Sequence, residues 1–416
     1  MPDDRAVLAP ADPGGLIEAY ERARTEGMPL VLGTAVQQAA TFGAAASRGV
    51  PQVIRLAGPA SGALVLAATS GTGGRSKFVP WSDEVLDYQA TATALRMGTG
   101  PDTRYGLALS PISAYGFSVV NLTRRLGGSL RAFAATDHVA ITRALLDGRI
   151  DTLDTIPGVW RYLATTATGE PALSAALRRL TVRGVGGEVV PHALLDRYEA
   201  MGAPLHNGYG LTEAGPNVSI SCGDGYGRRT VGTPLSGTDV RVREDGGVLV
   251  RGPGVAGAVF TRGQGAAPDP AVGADGWLDT GDIGALDAGG RLTIVGRASG
   301  LFAGHGRKVH ATVIEETVRD LVSEETDVVA LQLDPNGTGT PRVVIALVGD
   351  AGAERPVEPD SRQRGLPVEF RVRDVVHVCR SDTARTASGK LDRNHLAALV
   401  TRALQVREEE ACERVS

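Results

Sequence analysis

The chain has 416 residues, too many for one ordinary core and suited to one large domain plus a smaller one. With 43 Lys and Arg against 47 Asp and Glu, its formal charge of -4 leaves no electrostatic footprint for nucleic acid or an anionic membrane. Cys222, Cys379 and Cys412 lie far apart with no CxxC pair, so neither a disulfide framework nor a zinc site is expected.

The N-terminus carries two aspartates and no long apolar stretch. No later segment approaches the ~20 apolar residues that a bilayer span needs, so a cytoplasmic protein is expected. Residues 15–26 (GLIEAYERARTE) read as a helix. Residues 63–68 (ALVLAA) read as a short buried strand running directly into the glycine-rich TSGTGGRSK. Apolar runs at 107–109 and 182–185 alternate with helical stretches at 141–146 and 193–201, the pattern of an α/β fold of layered sheet and helices. From about Val231, apolar and polar residues alternate around Asp-Gly and Gly-Gly turns, so the large domain is predicted to end in a β-rich part built of antiparallel hairpins. After Gly296-Arg297 come a helix (VIEETVRDLV), strands at 328–333 and 343–348 and a last helix over 392–404, which make a small α+β C-terminal domain. The predicted domains are 1–297 and 298–416, and residues 349–367 read as a surface loop.

Four stretches carry chemistry. Thr69-Ser70-Gly71-Thr72-Gly73-Gly74-Arg75-Ser76-Lys77 is a strand-to-loop turn whose backbone N–H groups, hydroxyls and lysine can converge on phosphate oxygens. A P-loop is the competing motif, but Ser76 stands where its glycine should be and Phe78 where its hydroxyl should be. Asn207-Gly208-Tyr209-Gly210-Leu211-Thr212-Glu213 offers an aromatic face for a purine, a hydroxyl, and in Glu213 a carboxylate suited to Mg2+ on a polyphosphate. Asp279-Thr280-Gly281-Asp282 offers carboxylates for the hydroxyls of a ribose, and Arg297 follows with a guanidinium for the same sugar. Lys390, after Ser388-Gly389, is a cation that a mobile turn can deliver to a carboxylate and a phosphate together. Each also has a bland reading: Tyr209 as core, Glu213 as a solvated helix start, Asp282 as a turn cap and Lys390 as surface charge.

Taken in order, these stretches resemble the superfamily of adenylate-forming enzymes, which includes acyl-CoA synthetases, adenylation domains of nonribosomal peptide synthetases and luciferases. The family's TSGTTGxPKG is similar to Thr69–Lys77, its YGxTE to Tyr209–Glu213, its TGD to Thr280–Asp282, its GR hinge to Gly296-Arg297 and its SGKxxR to Ser388–Arg393. Gly186-Gly187-Glu188 resembles the segment that lines the adenine.

The resemblance implies ATP-dependent activation of a carboxylic acid as acyl-AMP with release of pyrophosphate, then acyl transfer to a thiol of CoA or of a carrier protein. It places Thr69, Ser70, Gly71, Thr72, Gly73, Lys77, Gly187, Glu188, Asn207, Gly208, Tyr209, Gly210, Asp282 and Arg297 around ATP. Glu213 holds Mg2+, and Thr212, Glu213 and Lys390 serve the reaction. It also implies a small domain that swings about a hinge near Ser299, with Lys390 acting in the first step only.

The chain departs from the family pattern at several points. Only 68 residues precede the phosphate loop, so the N-terminal subdomain reads as short. Ser299 and Ala303 stand where the family usually has Asp or Lys, and Ser113 stands where a histidine faces the substrate carboxylate. Ser113, Tyr115, Phe117, Asn121 and Trp160 are the candidate pocket residues. SAYGFSVVN has no acid to pair an α-ammonium, so an aryl or alkyl acid is expected over an ordinary α-amino acid. The alternatives are an amide synthetase with an amine acceptor, a P-loop kinase and a catalytically silent nucleotide-binding relative.

Overall fold

The computed structural model describes residues 5–10, 12–33, 52–55, 63–69, 77–261, 269–319, 321–322, 326–335, 339, 341–349, 366–384 and 391–413. They divide into two compact units, one ending at Ile294 and the other beginning at Val295.

The first unit opens with β1 (Arg5–Leu8), α1 (Pro13–Glu26), β2 (Leu30–Leu32), β3 (Gln52–Arg55), β4 (Val65–Ala68), β5 (Lys77–Trp81) and α2 (Asp83–Met97). Next come β6 (Arg104–Ala108), α3 (Ala114–Leu126), β7 (Ser129–Ala132), α4 (His138–Leu146), β8 (Thr152–Thr155), α5 (Pro157–Gly169) and α6 (Pro171–Arg179). Then follow β9 (Val182–Val185), α7 (His192–Ala200), β10 (His206–Gly210) and β11 (Asn217–Ile220). The unit closes with β12 (Asp239–Val242), β13 (Gly247–Arg251), β14 (Ala258–Thr261), β15 (Asp269–Pro270), β16 (Leu278–Leu286) and most of β17 (Leu292–Arg297).

Local chemistry sets the helix ends. Asp12 accepts from Gly15 N at 2.7 Å to start α1, and Ser82 starts α2 by accepting from Val85 N. α1, α2 and α3 each stop at a glycine of positive φ, namely Gly27, Gly98 and Gly127. α5 and α6 begin on Pro157 and Pro171, where a missing N–H costs nothing.

Three sheets result. The first has strand order β15-β14-β5-β4-β2-β1-β3, the second β11-β10-β9-β8-β6-β7, and the third β12-β13-β16-β17. The second is parallel from β7 to β10, with β11 antiparallel at its edge. One apolar core joins the first sheet (Val7, Leu30, Val65, Trp81) to the second (Tyr105, Leu107) through Leu16 and Tyr20 of α1, Leu86 of α2 and Phe117 and Val120 of α3. Phe117 lies edge-on to Tyr20 at 5.5 Å and stacks on Trp81 at 6.2 Å. Truncating such a ring costs about 3–5 kcal/mol. α4 to α7 cover the opposite face of the second sheet, around Leu153, Trp160, Val185, Tyr198 and Leu205. The parallel strands therefore end on one common edge, the place where α/β sheets receive ligands.

In the second unit a hairpin of β18 (Leu301–Gly304) and β19 (Arg307–His310) precedes α8 (Ala311–Arg319). A three-stranded sheet, β20 (Asp327–Leu333), β21 (Arg342–Gly349) and β22 (Val372–Cys379), leads to α9 (Arg393–Glu413). Alternation decides the faces. Val328, Ala330, Val343, Ile345 and Leu347 pack with Ile314 and Val318 of α8, whereas Val329, Leu331, Val344, Ala346 and Val348 pack with Leu396, Val400 and Leu404 of α9. α9 runs past the expected end at Leu404 because the residues that follow contain no Gly or Pro to stop it. Among the described residues no helix is long and apolar enough to cross a membrane.

Candidate active site

Residues 70–76 lie outside the described residues, and with them Ser70, Gly71, Thr72 and Gly73; the two ends of their loop are described. Thr69 N donates to Lys77 O at 2.9 Å, closing an antiparallel β4–β5 hairpin, so the loop leaves and re-enters the sheet between neighbouring strands. Thr69 is buried and Lys77 is exposed, in register with Thr261 of β14.

β5 carries this hairpin toward the second motif. The Trp81 indole donates to Thr212 O at 2.9 Å. Gln89 of α2 donates to both Ala214 O and Asn217 O, while its own carbonyl accepts from Asn217 N. Ala256 N donates to Glu213 O at 2.8 Å. The short turn Thr212–Ala214 is thus held by backbone bonds from three directions, while the Glu213 carboxylate stays half-exposed. No group of three or more potential metal-binding side chains exists among the described residues. A single carboxylate fits Mg2+ that takes its other ligands from polyphosphate and water, the usual way of holding Mg2+ on a nucleotide.

Gly210 is sterically required and Gly186 is tightly packed. At Gly210 a Cβ would stand 1.9 Å from Pro216 O, and at Gly186 it would stand 3.1 Å from Gly208 O. Register pairing of Val185 with Asn207 sets the Gly186-Gly187-Glu188 segment beside Asn207-Gly208. Gly187 adopts φ 80, and both it and Glu188 are exposed. The Asn207 amide donates to Thr230 O at 3.4 Å.

The structure joins Tyr209 to the third motif: its hydroxyl donates to Asp282 Oδ2 at 2.6 Å. Asp282 is buried, and its N–H donates to Thr280 Oγ1, which donates in turn to Val248 O. Asp279, offered by the sequence as a second ribose ligand, instead accepts from Arg243 at 2.7 Å and from Gly281 N at 3.0 Å. That carboxylate serves the turn.

In the second unit Arg297 is exposed at the end of β17, and its carbonyl lies 2.8 Å from His310 Nε2. Ser299 is exposed, and both backbone groups of Ala303 are taken by the Gln332 carboxamide. Lys390 falls in 385–390, outside the described residues, yet the base of its loop is fixed. Asp392 N donates to Ala384 O at 2.9 Å, and Arg393 donates to Glu315 and to Ala330 O, both at 2.9 Å.

The five pocket candidates separate. Phe117 and Trp160 are core residues with no exposure, and Trp160 donates to Gly184 O at 2.9 Å. Asn121 is also buried, accepting from Tyr20 and Arg125 and donating to Leu86 O, so it fastens α3 to α1 and α2. Ser113 is spent as the N-cap of α3: its Oγ accepts from Gly116 N at 3.0 Å and donates to Ser110 O at 2.7 Å. Tyr115 alone is half-exposed and turned to a polar partner, its phenol donating to Asp154 Oδ1 at 2.9 Å.

Asp154 was not anticipated. SAYGFSVVN holds no acid, but the fold brings one from β8, 39 residues further along. The available signal was an aspartate inside the strand TLDT, a position that normally packs. Burial pushes the Asp154 carboxyl up to about 6, against the lowering effect of the Tyr115 hydrogen bond. Burial, and then Asp154, hold the Tyr115 phenol well above its ordinary value.

With this geometry in view, comparison with known proteins gives consistent likenesses. The family model described as AMP-binding enzyme matches residues 23–268. A 2-succinylbenzoate--CoA ligase of Listeria innocua is 26% identical over 332 residues, covering 79% of this chain and 68% of that protein. A feruloyl-CoA synthase of Amycolatopsis is 26% identical over 264 residues, 60% of this chain and 52% of that protein. Among solved structures, o-succinylbenzoate CoA synthetase (MenE) from Bacillus subtilis, in complex with the acyl-adenylate intermediate OSB-AMP, superposes with a TM-score of 0.73 at 18% identity, covering 94% of this chain and 87% of that one. ATP-bound MatB from Rhodopseudomonas palustris gives 0.70 at 22% identity, covering 95% and 79%. These two likenesses establish the fold.

Proposed function

The chain belongs to the AMP-binding enzyme family, and on that premise we propose that it activates a carboxylic acid, of aryl or alkyl type, as its acyl-adenylate and passes the acyl group to the thiol of CoA or of a carrier protein. The observation that carries this reading is the pair of hydrogen bonds that tie three separated motifs together, Trp81 to Thr212 and Tyr209 to Asp282. Relatives named for 2-succinylbenzoate and feruloyl groups support an aryl acid and CoA as acceptor.

In the first step a substrate carboxylate oxygen attacks the α-phosphorus of ATP. The bond to the β-phosphate oxygen breaks, and its electron pair leaves with pyrophosphate. Chemistry of this kind depends on positioning and on neutralising charge. The resemblance assigns the phosphates to the glycine-rich segment between Thr69 and Lys77, and Tyr209 and Asp282 to the nucleoside. Glu213 would hold Mg2+, which would supply neutralisation of phosphate charge. The resemblance gives Lys390 the role of supplying positive charge to the reaction, and Arg393 anchors the described base of its loop. In the second step a thiolate attacks the acyl carbon, AMP leaves with the C–O bonding pair, and the thiol's proton passes to solvent.

Acid-dependent exchange of pyrophosphate into ATP, with Mg2+ and without acceptor, tests the first step. Exchange with one class of acid is expected, and silence across aryl, alkyl and amino acids with ATP binding intact would overturn the proposal. CoA, carrier protein and amines are then offered in turn to the competent acid.

A further inference from the structure

Asp154 is a carboxyl where apolar packing would be the cheaper solution. It stands in register between Leu107 of β6 and Gly184 of β9, on the face from which Tyr115 of α3 reaches it, and it is 4% exposed. One oxygen takes the Tyr115 phenol; the other, Oδ2, is buried with no hydrogen-bond partner among the described residues. No lysine or arginine features among the groups that shift its ionisation. His206, which follows Gly184 in the same lateral row, is pushed down to about 4 by burial and by Arg183, so it is neutral and provides no countercharge. An unpartnered oxygen on a buried acid is costly, and native structures keep such groups chiefly where something else satisfies them.

The surroundings are fitted to that carboxyl. A Cβ on Gly184 would stand 2.1 Å from Asp154 Oδ1 and 3.0 Å from the Tyr115 hydroxyl, so the strand leaves out a side chain to admit the pair. The Tyr115 ring also comes within 3.5 Å of the Cβ position at Gly186, at the mouth of the nucleotide segments. The group therefore sits at the carboxyl edge of the parallel strands, where a ligand is expected.

We propose that Asp154 Oδ2 receives a hydrogen-bond donor of the acid substrate, a hydroxyl or an ammonium, so that the substrate is a carboxylic acid bearing such a group away from the carboxylate that is activated. The inference rests on the adenylation reading above and names its substrate class. Oδ2 has almost no exposed surface, so a donor reaches it as the half-exposed Tyr115 ring turns aside; Tyr115 is a positioning residue. The acid absent from the α3 segment is thereby supplied by β8.

The test uses the full chain and matched pairs of acids: benzoate against its hydroxy and amino derivatives, and a short alkyl acid against its hydroxy and amino derivatives. Pyrophosphate exchange gives kcat/KM for each, and calorimetry with acid alone gives binding independently of turnover. The donor-bearing member should be favoured at least about tenfold, and Asp154→Asn should reduce that preference about tenfold in both readouts; hydroxy against amino members identifies the donor. Equal kcat/KM within every pair in the wild type overturns the inference, whether or not the variant folds. So does a preference that natively folded Asp154→Asn leaves unchanged. Silent exchange with Asp154-dependent binding of donor-bearing acids would remove the adenylation reading and keep this one. Silence in both readouts removes both.

Discussion

Replacing Asp154 by Asn changes how stability depends on pH, and the sign follows from burial. The folded carboxyl is pushed up to about 6 from an ordinary 3.8, so between those values the native state holds a proton that the unfolded chain has released. Stability contributed by the protonated form is therefore lost as pH rises through the folded value. The full loss is about 3 kcal/mol, for a value raised from 3.8 to about 6, and roughly half of it falls between about pH 5 and about pH 8. Nearby titratable groups do not obscure this: burial raises the Tyr105 and Cys222 values, Tyr115 is raised further, and His206 stays neutral above about 4.

Asn keeps a carbonyl for the Tyr115 phenol but cannot ionise. Its amide at the place of Oδ2 adds only a pH-independent offset. Thermal unfolding of both proteins across this range should show the variant gaining on the wild type by about 2 °C as pH rises, at about 1.6 °C per kcal/mol for a unit ending at Ile294. A difference in melting temperature that stays flat with pH would refute the buried, ionising Asp154 on which the reasoning stands.

Gly210→Ala places a methyl 1.9 Å from Pro216 O, a backbone atom, so β10 and β11 must part; melting should fall by a few degrees and exchange by tenfold or more, and an unchanged protein would contradict the packing. Tyr209→Phe removes the donor to Asp282 and should raise the KM for ATP about tenfold more than it alters kcat, as measured by initial rates over an ATP series. Lys390→Ala should nearly abolish pyrophosphate exchange while ATP binding, measured by calorimetry, persists; unaltered exchange removes the role given to it.

The readable parts of the chain were those whose chemistry is local. The apolar run at 107–109 marks the end of β6, a parallel strand buried on both faces, and α4 and α7 declare themselves by helical spacing. The second unit was legible for the same reason, since alternate residues of β20 and β21 face two different helices. Less legible were side chains whose role depends on what lies across from them. Phe117, Asn121 and Trp160 look like pocket residues by their neighbourhood in sequence, yet Tyr20, Leu86 and Gly184 claim them. Ser113 stands at the place of a missing histidine, and only the fold shows that its hydroxyl also caps α3.

By itself, then, the sequence determined the order of motifs, and with it the family, because hydroxyls, glycines and charged residues at set spacings are properties of short segments. Only the tertiary structure decided which of them meet. The Tyr209–Asp282 bond spans 73 residues, Trp81–Thr212 spans 131 and Tyr115–Asp154 spans 39, and no local pattern encodes such pairs. They arise when burial of apolar faces sets strand order and register, and the polar groups then carried inside must find partners in whichever strand or helix has become their neighbour.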